Sequence, residues 1–214
     1  MKVVPAILAE TFNDFLLRIG QAERFTNYVQ IDVMDGRFVP TRSFSPEKIN
    51  GRRTSLSFEI HLMVKDPSVF MAQIDSPRLA KVLYHFESEV NHLEFIRQME
   101  ERGIKTGLAI KPETQVSTFR EIVPHVETLM FLTVDPCCYG HPFKPEVLKK
   151  IEEAKNTFPE KRISVDGGVS LDKLKTFMDL GVDYVCVGSR IFLEGNPEGN
   201  YRRFIQRVRE LGAH

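Results

Sequence analysis

The sequence predicts an α/β protein built as one (β/α)8 (TIM) barrel domain over residues 1–214. Eight short apolar runs recur along the 214 residues, and segments with helical spacing of apolar residues separate several of them. Strands that alternate with helices are typical of parallel βα units, and eight such units can close into a barrel. An open, doubly wound sheet is the alternative that the pattern leaves open.

The eight predicted strands follow one another at fairly regular intervals. They cover residues 3–8, 28–33, 56–64, 81–86, 105–110, 128–134, 162–167 and 184–189. Helical periodicity is clearest in residues 92–103, 144–158 and 170–181. Ser170 is a candidate N-cap of the last segment, and Gly181 stands where a helix commonly ends. No Pro/Ser-rich linker or low-complexity tract divides the chain, so we expect a single domain.

The composition favours a soluble protein that acts on a small molecule. The formal net charge is +0 and the pI is near 7.0, which argues against a nucleic-acid-binding surface and against a basic membrane-binding face. No segment approaches the roughly 18 apolar residues of a membrane span. We therefore expect a cytoplasmic protein. A homo-oligomer is a separate expectation. The three cysteines include the adjacent Cys137 and Cys138, and this pattern indicates reduced thiols rather than disulfides or structural zinc.

Polar side chains stand near the ends of four predicted strands, where this fold carries its active sites. They are Gln30 and Asp32, Glu59 and His61, His85 and Glu87, and Asp166. Members of a pair are two residues apart, so they share one face of the strand and can point into the barrel. A lone inward His or Asp is commonly structural, but several buried together are costly unless they pair or bind a metal. Such side chains suit zinc, iron or manganese, although the spacing alone does not select a ligand set.

Glycines follow the last two predicted strands. Gly167 and Gly168 stand in "DGG" (166–168), and Gly188 and Ser189 stand in "VGS" (187–189). Backbone N–H groups in loops at this end of a barrel commonly bind phosphate, and we predict a phosphate site there. Tight βα turns are the alternative explanation of these glycines.

The motifs that contain these residues resemble the ribulose-phosphate 3-epimerase family over almost the whole chain. In the family's order they are PAIL, DVMDGRFVP, HLMV, YHFES, GLAIKPET, LTVDP, FKPEVLKKI, VDGGV and VGSRIF. The resemblance implies a barrel isomerase of pentose phosphate metabolism. Such an enzyme moves a proton at C3 of a ketopentose phosphate and converts D-ribulose 5-phosphate to D-xylulose 5-phosphate.

The resemblance also implies roles for individual residues. Asp32 and Asp166 would be the acid/base pair, and together with His61 they would bind a divalent metal (zinc, iron or manganese). Met34 and Met63 would line the site. The substrate would contact His61, Gly140, Gly167, Gly168, Gly188 and Ser189.

The chain departs from the family where the metal and the sugar would bind. Gln30 replaces a histidine that is a metal ligand in the family, and an amide oxygen is a weaker donor for zinc or iron, so the metal is expected to bind weakly. Ala6, Glu59 and Leu132 replace a serine, an aspartate and a methionine. A loop that is rich in glycine in the family is "CCYGH" here, and it retains only Gly140.

These departures leave more than one function open. Tyr139 and His141 are candidates for contact with the sugar, and Arg190 is a candidate for contact with the phosphate. The substrate could be another ketose phosphate, such as allulose 6-phosphate. Further alternatives are another isomerase or lyase of phosphorylated sugars and a non-catalytic sugar-phosphate-binding paralogue. The retention of Asp32 and Asp166 favours proton transfer, because simple binding requires neither.

Overall fold

A computed structural model describes residues 1–51, 53–136 and 140–213, in which eight parallel strands form a closed barrel. The barrel confirms the predicted fold, and the open sheet is wrong because β8 pairs with β1, with Val3 opposite Val185. The strands are β1 (Lys2–Leu8), β2 (Tyr28–Met34), β3 (Ser57–Met63), β4 (Leu79–His85), β5 (Lys105–Ile110), β6 (Thr128–Leu132), β7 (Arg162–Asp166) and β8 (Tyr184–Val187).

Helices follow six of the eight strands. They are α1 (Phe12–Ala22), α2 (Pro67–Met71), α3 (His92–Glu101), α4 (Val147–Thr157), α5 (Leu174–Asp179), α6 (Ser189–Phe192) and α7 (Pro197–Gly212). In the described residues after β2 and after β5, 3₁₀ turns take the place of α-helices, at Pro46–Ile49, Val116–Phe119 and Val123–His125. Pro46 and Pro124 lie in these turns, and proline has no N–H for the interior of an α-helix.

Side chains cap four of the helices, α1, α2, α3 and α7, at their amino ends. The Asn91 side chain accepts a hydrogen bond from the Glu94 N–H at 3.2 Å and caps α3. Gly181 follows α5 with φ +71°, as predicted. Ser170 as the cap of that helix is wrong, since its carbonyl accepts from the Lys173 N–H at 3.1 Å in a separate turn and α5 starts at Leu174.

Alternation along the strands separates two interiors. Val29, Ile31 and Val33 are fully buried in the large apolar core that lies between the barrel and its helices. Gln30 and Asp32 have the opposite parity and are buried inside the barrel, as the sequence predicts. None of the helices in the described ranges combines the length and the apolar character that crossing a bilayer requires.

Candidate active site

A cavity of about 300 Å³ opens at the carboxyl ends of the strands. Its walls include Asp32 of β2, His61 of β3 and Asp166 of β7, together with the loops that follow β6, β7 and β8. The volume lies at the lower end of the range for small-molecule sites. Residues from strands far apart in the chain therefore meet at one small pocket, at the end of the barrel where this fold carries its chemistry.

Asp32, His61 and Asp166 form the centre of the pocket. His61 Nδ1 lies 3.2 Å from Asp32 Oδ1 and 3.3 Å from Asp166 Oδ2. Strand register produces this arrangement, because Asp32 lies opposite His61 in the β2–β3 pair. One potential ligand atom from each residue lies within 4.8 Å of the others. A tetrahedral ion with bonds of about 2.0 Å holds its ligand atoms about 3.3 Å apart, so this set fits a small divalent cation.

Gln30 joins the two aspartates through its amide nitrogen. Nε2 donates to Asp32 Oδ1 and to Asp166 Oδ2, each at 2.8 Å. The amide oxygen points the other way and accepts from Cys186 Sγ at 3.0 Å. In this orientation the N–H groups of Gln30 face the two carboxylates, and its oxygen, which ligation of a metal would need, faces away from them.

A chain of hydrogen bonds supports His61 from behind. His61 Nε2 lies 3.0 Å from His85 Nε2, and His85 Nδ1 lies 3.2 Å from Glu87 Oε2. Glu87 is anchored in turn by the Lys111 backbone N–H at 3.0 Å and by a short hydrogen bond from the Thr114 hydroxyl. These hydrogen bonds fix the ring of His61 with Nδ1 toward the two carboxylates.

The protonation states follow from these contacts. Burial lowers the pKa of His61, but hydrogen bonds to Asp166 and Asp32 outweigh it and raise the pKa to about 9. Burial lowers the pKa of His85 to about 4, so His85 is neutral at pH 7. His61 then donates from both ring nitrogens, and His85 accepts at Nε2 and donates to Glu87 from Nδ1. Burial also raises the pKa of Asp32, although hydrogen bonds from His61 and Gln30 oppose the rise.

A second buried polar group lies below the pocket, nearer the amino ends of the strands. Glu59 accepts from Tyr28 Oη at 3.1 Å and from Tyr184 Oη at 3.3 Å, and Lys81 Nζ lies 3.5 Å away. Burial raises the pKa of Glu59, although Lys81 opposes the rise. Glu59 was predicted to project into the mouth, but the structure places it in this lower layer, because it lies two residues before His61 on β3.

The glycines after β7 are required by the backbone. Gly167 and Gly168 have φ values of +93° and +60°, which favour glycine. A Cβ on Gly167 would lie 2.4 Å from Val134 Cγ2, so no larger residue fits without displacement. These two glycines and the predicted Gly140, Gly188 and Ser189 all line the pocket.

Several positions that depart from the family motifs line the pocket, namely Ala6, Leu132, His141 and Arg190. Met63 lines it as well, whereas Met34, which was also expected to line the site, is not among the lining residues and is buried in a small apolar cluster with Met63. Arg190 is half-exposed, and its Nη1 lies 2.6 Å from Glu194 Oε1. The predictions for Cys137, Cys138 and Tyr139 lie outside the described residues.

Sequence reasoning missed three residues of the barrel interior. Cys186 contacts Gln30, while Tyr184 and Lys81 surround Glu59. Their spacing could have indicated two of them, because Tyr184 and Cys186 are two residues apart on one strand and therefore share its inward face. Which side chains they meet across the barrel depends on register and closure, and neither can be deduced from β8 alone.

Comparisons with known proteins agree with one another. Residues 2–192 match the model of a family described as "Ribulose-phosphate 3 epimerase family". A ribulose-phosphate 3-epimerase of Schizosaccharomyces pombe is 29% identical over 203 residues, covering 92% of this chain and 89% of the relative. One from Treponema pallidum is 32% identical over 197 residues, covering 89% of this chain and 90% of the relative. Among solved structures, a 3-hexulose-6-phosphate synthase matches with TM-score 0.70 at 11% identity, covering 97% of this chain and all of that one, which supports the fold alone.

Proposed function

Since this chain belongs to the ribulose-phosphate 3-epimerase family, we propose that it is an isomerase that inverts C3 of a ketopentose phosphate. The proposed reaction converts D-ribulose 5-phosphate to D-xylulose 5-phosphate. The observation that carries the proposal is the pair of pocket-lining carboxylates, Asp32 and Asp166, which come from different strands and share one amide donor. Inversion beside a ketone removes a proton from one face of C3 and returns one to the other, so it requires two acid/base groups.

The surroundings of the aspartates suit proton transfer. One carboxyl must be ionised to accept the C3 proton while the other holds a proton to deliver. Burial raises the pKa of Asp32, which makes a protonated state of that carboxyl accessible. N–H groups of Gln30 and His61 lie against both carboxyls and can stabilise whichever is ionised.

Asp32, His61 and Asp166 would also hold a divalent cation, whose identity among zinc, iron and manganese their donor types leave open. When bound, the cation would act as a Lewis acid toward the negative charge that develops on the substrate oxygens. His61 would offer Nδ1 as the ligand, and its Nε2–H would keep donating to His85. This outer contact orients the ring, as is usual for histidines that bind metals.

The phosphate is proposed to bind against the loops that follow β7 and β8. Gly167, Gly168, Gly188 and Ser189 belong to these loops and line the pocket. Their backbone N–H groups are suitable donors. Gly167 and Gly168 adopt positive φ values, and as glycines they have no Cβ that could block a phosphate. Lys173 and Arg190 line the same cavity and would add positive charge near the phosphate.

An activity assay tests the proposal. Purified protein supplied with D-ribulose 5-phosphate should form D-xylulose 5-phosphate, and Asp32→Asn or Asp166→Asn should lower kcat by about 10²–10⁴-fold, the usual contribution of an acid/base group. Asp179→Asn is the matched control, because Asp179 pairs with Lys175 on the surface of α5 and its loss should leave the rate unchanged. Full activity in both site variants would contradict the proposed roles.

The alternatives are outcomes of the same assay. If the protein turns over a different ketose phosphate, such as allulose 6-phosphate, the proposed substrate is wrong but the proposed roles of the two aspartates stand. Binding of sugar phosphate without any turnover would favour a non-catalytic paralogue. The cytoplasmic location and the homo-oligomeric state stay predictions.

A further inference from the structure

The orientation of the Gln30 amide decides what the centre of the pocket offers to a cation. With Nε2 inward, two N–H groups meet Asp32 Oδ1 and Asp166 Oδ2 at 2.8 Å. With the amide rotated by half a turn, an oxygen would stand in the place of the nitrogen, against two carboxylate oxygens. In a site without a cation this second orientation is repulsive, whereas beside a cation it would supply a further oxygen ligand.

Cys186 contacts the other end of the same amide. Its side chain is buried on β8, and Sγ lies 3.0 Å from Gln30 Oε1. The thiol's other polar neighbours, Ser164 Oγ and Glu59 Oε1, both lie farther away, at 3.9 Å. The single S–H of Cys186 therefore has one close acceptor, the amide oxygen of Gln30.

A thiol discriminates between the two orientations of an amide. The thiol S–H can donate a weak hydrogen bond to the amide oxygen. The sulfur accepts from an amide N–H group even less effectively. Rotation of the Gln30 amide would replace an S–H···O contact by a poorer N–H···S contact between two buried side chains.

We propose that Cys186 is a positioning residue that holds the Gln30 amide with its nitrogen toward Asp32 and Asp166 and thereby weakens cation binding. The Cys186–Gln30 pair stabilises the two carboxylates without a cation. A cation that enters must displace these N–H groups and turn the amide against the thiol. This inference rests on the metal site of the proposed function, but its test contains no substrate, so a failure of catalysis and a failure of the inference can be told apart.

Metal titration of the intact protein tests the proposal. The dissociation constant for Zn²⁺ is measured by competition with a chromogenic chelator, in wild type, Cys186→Val and Cys186→Ala. Valine fills the space of the thiol and alanine cannot clash, so one of the two should fold even if the other does not. Both remove the donor to Gln30 Oε1 and should tighten Zn²⁺ binding by about 5- to 10-fold, the equivalent of one hydrogen bond or one outer-shell contact.

Two controls separate the proposed role from a packing effect. Gln30→Glu places an oxygen at both ends of the side chain, so adding Cys186→Val to it should change the Zn²⁺ affinity by less than about 2-fold. Ser164→Ala removes the hydroxyl that lies 3.9 Å from the thiol and leaves Gln30 in place, so the Zn²⁺ affinity should not change. Equal Zn²⁺ affinities in wild type and both Cys186 variants would overturn the proposal, as would an equal gain in the Gln30→Glu background or no Zn²⁺ binding by any variant.

Discussion

Gln30 is the residue at which this chain departs most consequentially from the motifs it otherwise shares with its family. Its N–H groups donate to the buried Asp32 and the partly buried Asp166, and together with His61 they stabilise this pair of carboxylates without a cation. A histidine at the same place could ligate a metal but would give the pair fewer hydrogen-bond donors. Glutamine at this position therefore weakens cation binding and stabilises the two carboxylates when no cation is bound.

The substitution Gln30→His is expected to tighten metal binding. It supplies an imidazole nitrogen in place of an amide N–H, so zinc or iron should bind at least about 10-fold more tightly. Chelator competition on wild type and variant measures the change. Adding His61→Gln to the variant should remove the gain, because His61 Nδ1 belongs to the same ligand set. Equal affinities in wild type and Gln30→His would mean that Gln30 does not limit the site.

The sequence predicts which strand faces these residues occupy but not their hydrogen bonds. The two-residue spacing of Gln30 and Asp32 correctly indicates that both point into the barrel. The amide orientation depends on Cys186, which belongs to a strand 156 residues away. No local pattern contains that contact, since it arises only when the barrel closes.

The carboxyl end of β4 acts as a support for the end of β3. His85 is the last residue of β4, and Glu87 follows it and is held by the loop after β5 through Lys111 and Thr114. This loop is therefore tied to His61 through two side chains rather than through direct contact with the pocket. Orientation of a site residue by an outer carboxylate is a common arrangement around metal-binding histidines.

The anchoring of Glu87 predicts an acid-sensitive contribution to stability. Burial would raise the pKa of Glu87, but hydrogen bonds from His85 and Thr114 lower it to about 2, below the ordinary value of 4.5. The unfolded chain therefore binds this proton first as the pH falls. The contribution, on the order of 3 kcal/mol, is fully present above pH 4.5 and is lost as the pH approaches 2.

Urea unfolding measures this contribution at a series of pH values. The free energy of unfolding of wild type minus that of Glu87→Gln should be largest near pH 6 and should shrink steadily below pH 4.5. Glu89→Gln is the matched control, since Glu89 pairs with Lys65 on the surface and should show little pH dependence. A difference that does not change with pH would contradict the anchoring of Glu87 as an ionised group.

Predictability also differs among the connecting elements. The periodic segments around α3 and α4 lie within two or three residues of their predicted bounds, because the spacing of their apolar residues is regular. The 3₁₀ turns after β2 and β5 have too few periodic apolar residues and too many prolines to be predicted as helices. Because the barrel is closed, each of these irregular connections must still join two neighbouring strands, β2 to β3 and β5 to β6.

In the whole molecule, polar side chains share the barrel interior with a small apolar cluster. Asp32, His61 and Asp166 line the pocket, Gln30 contacts Cys186 beside them, and Glu59 lies opposite Gln30 in the β2–β3 pair. Buried charges are tolerated here because nearly every member has a partner at hydrogen-bond distance. Asp32, His61, Asp166 and Cys186 line the pocket, so the candidate chemistry lies at the carboxyl end of the barrel.

Deuterium incorporation at C3 tests whether the two aspartates in this pocket transfer a proton. Wild-type protein is incubated with D-ribulose 5-phosphate in heavy water, and recovered substrate and product are analysed by NMR. Deuterium is expected at C3 of both sugars, and exchange should be almost completely lost in Asp32→Asn and in Asp166→Asn. Protein that binds the sugar phosphate yet incorporates no deuterium from any ketose phosphate would contradict the account.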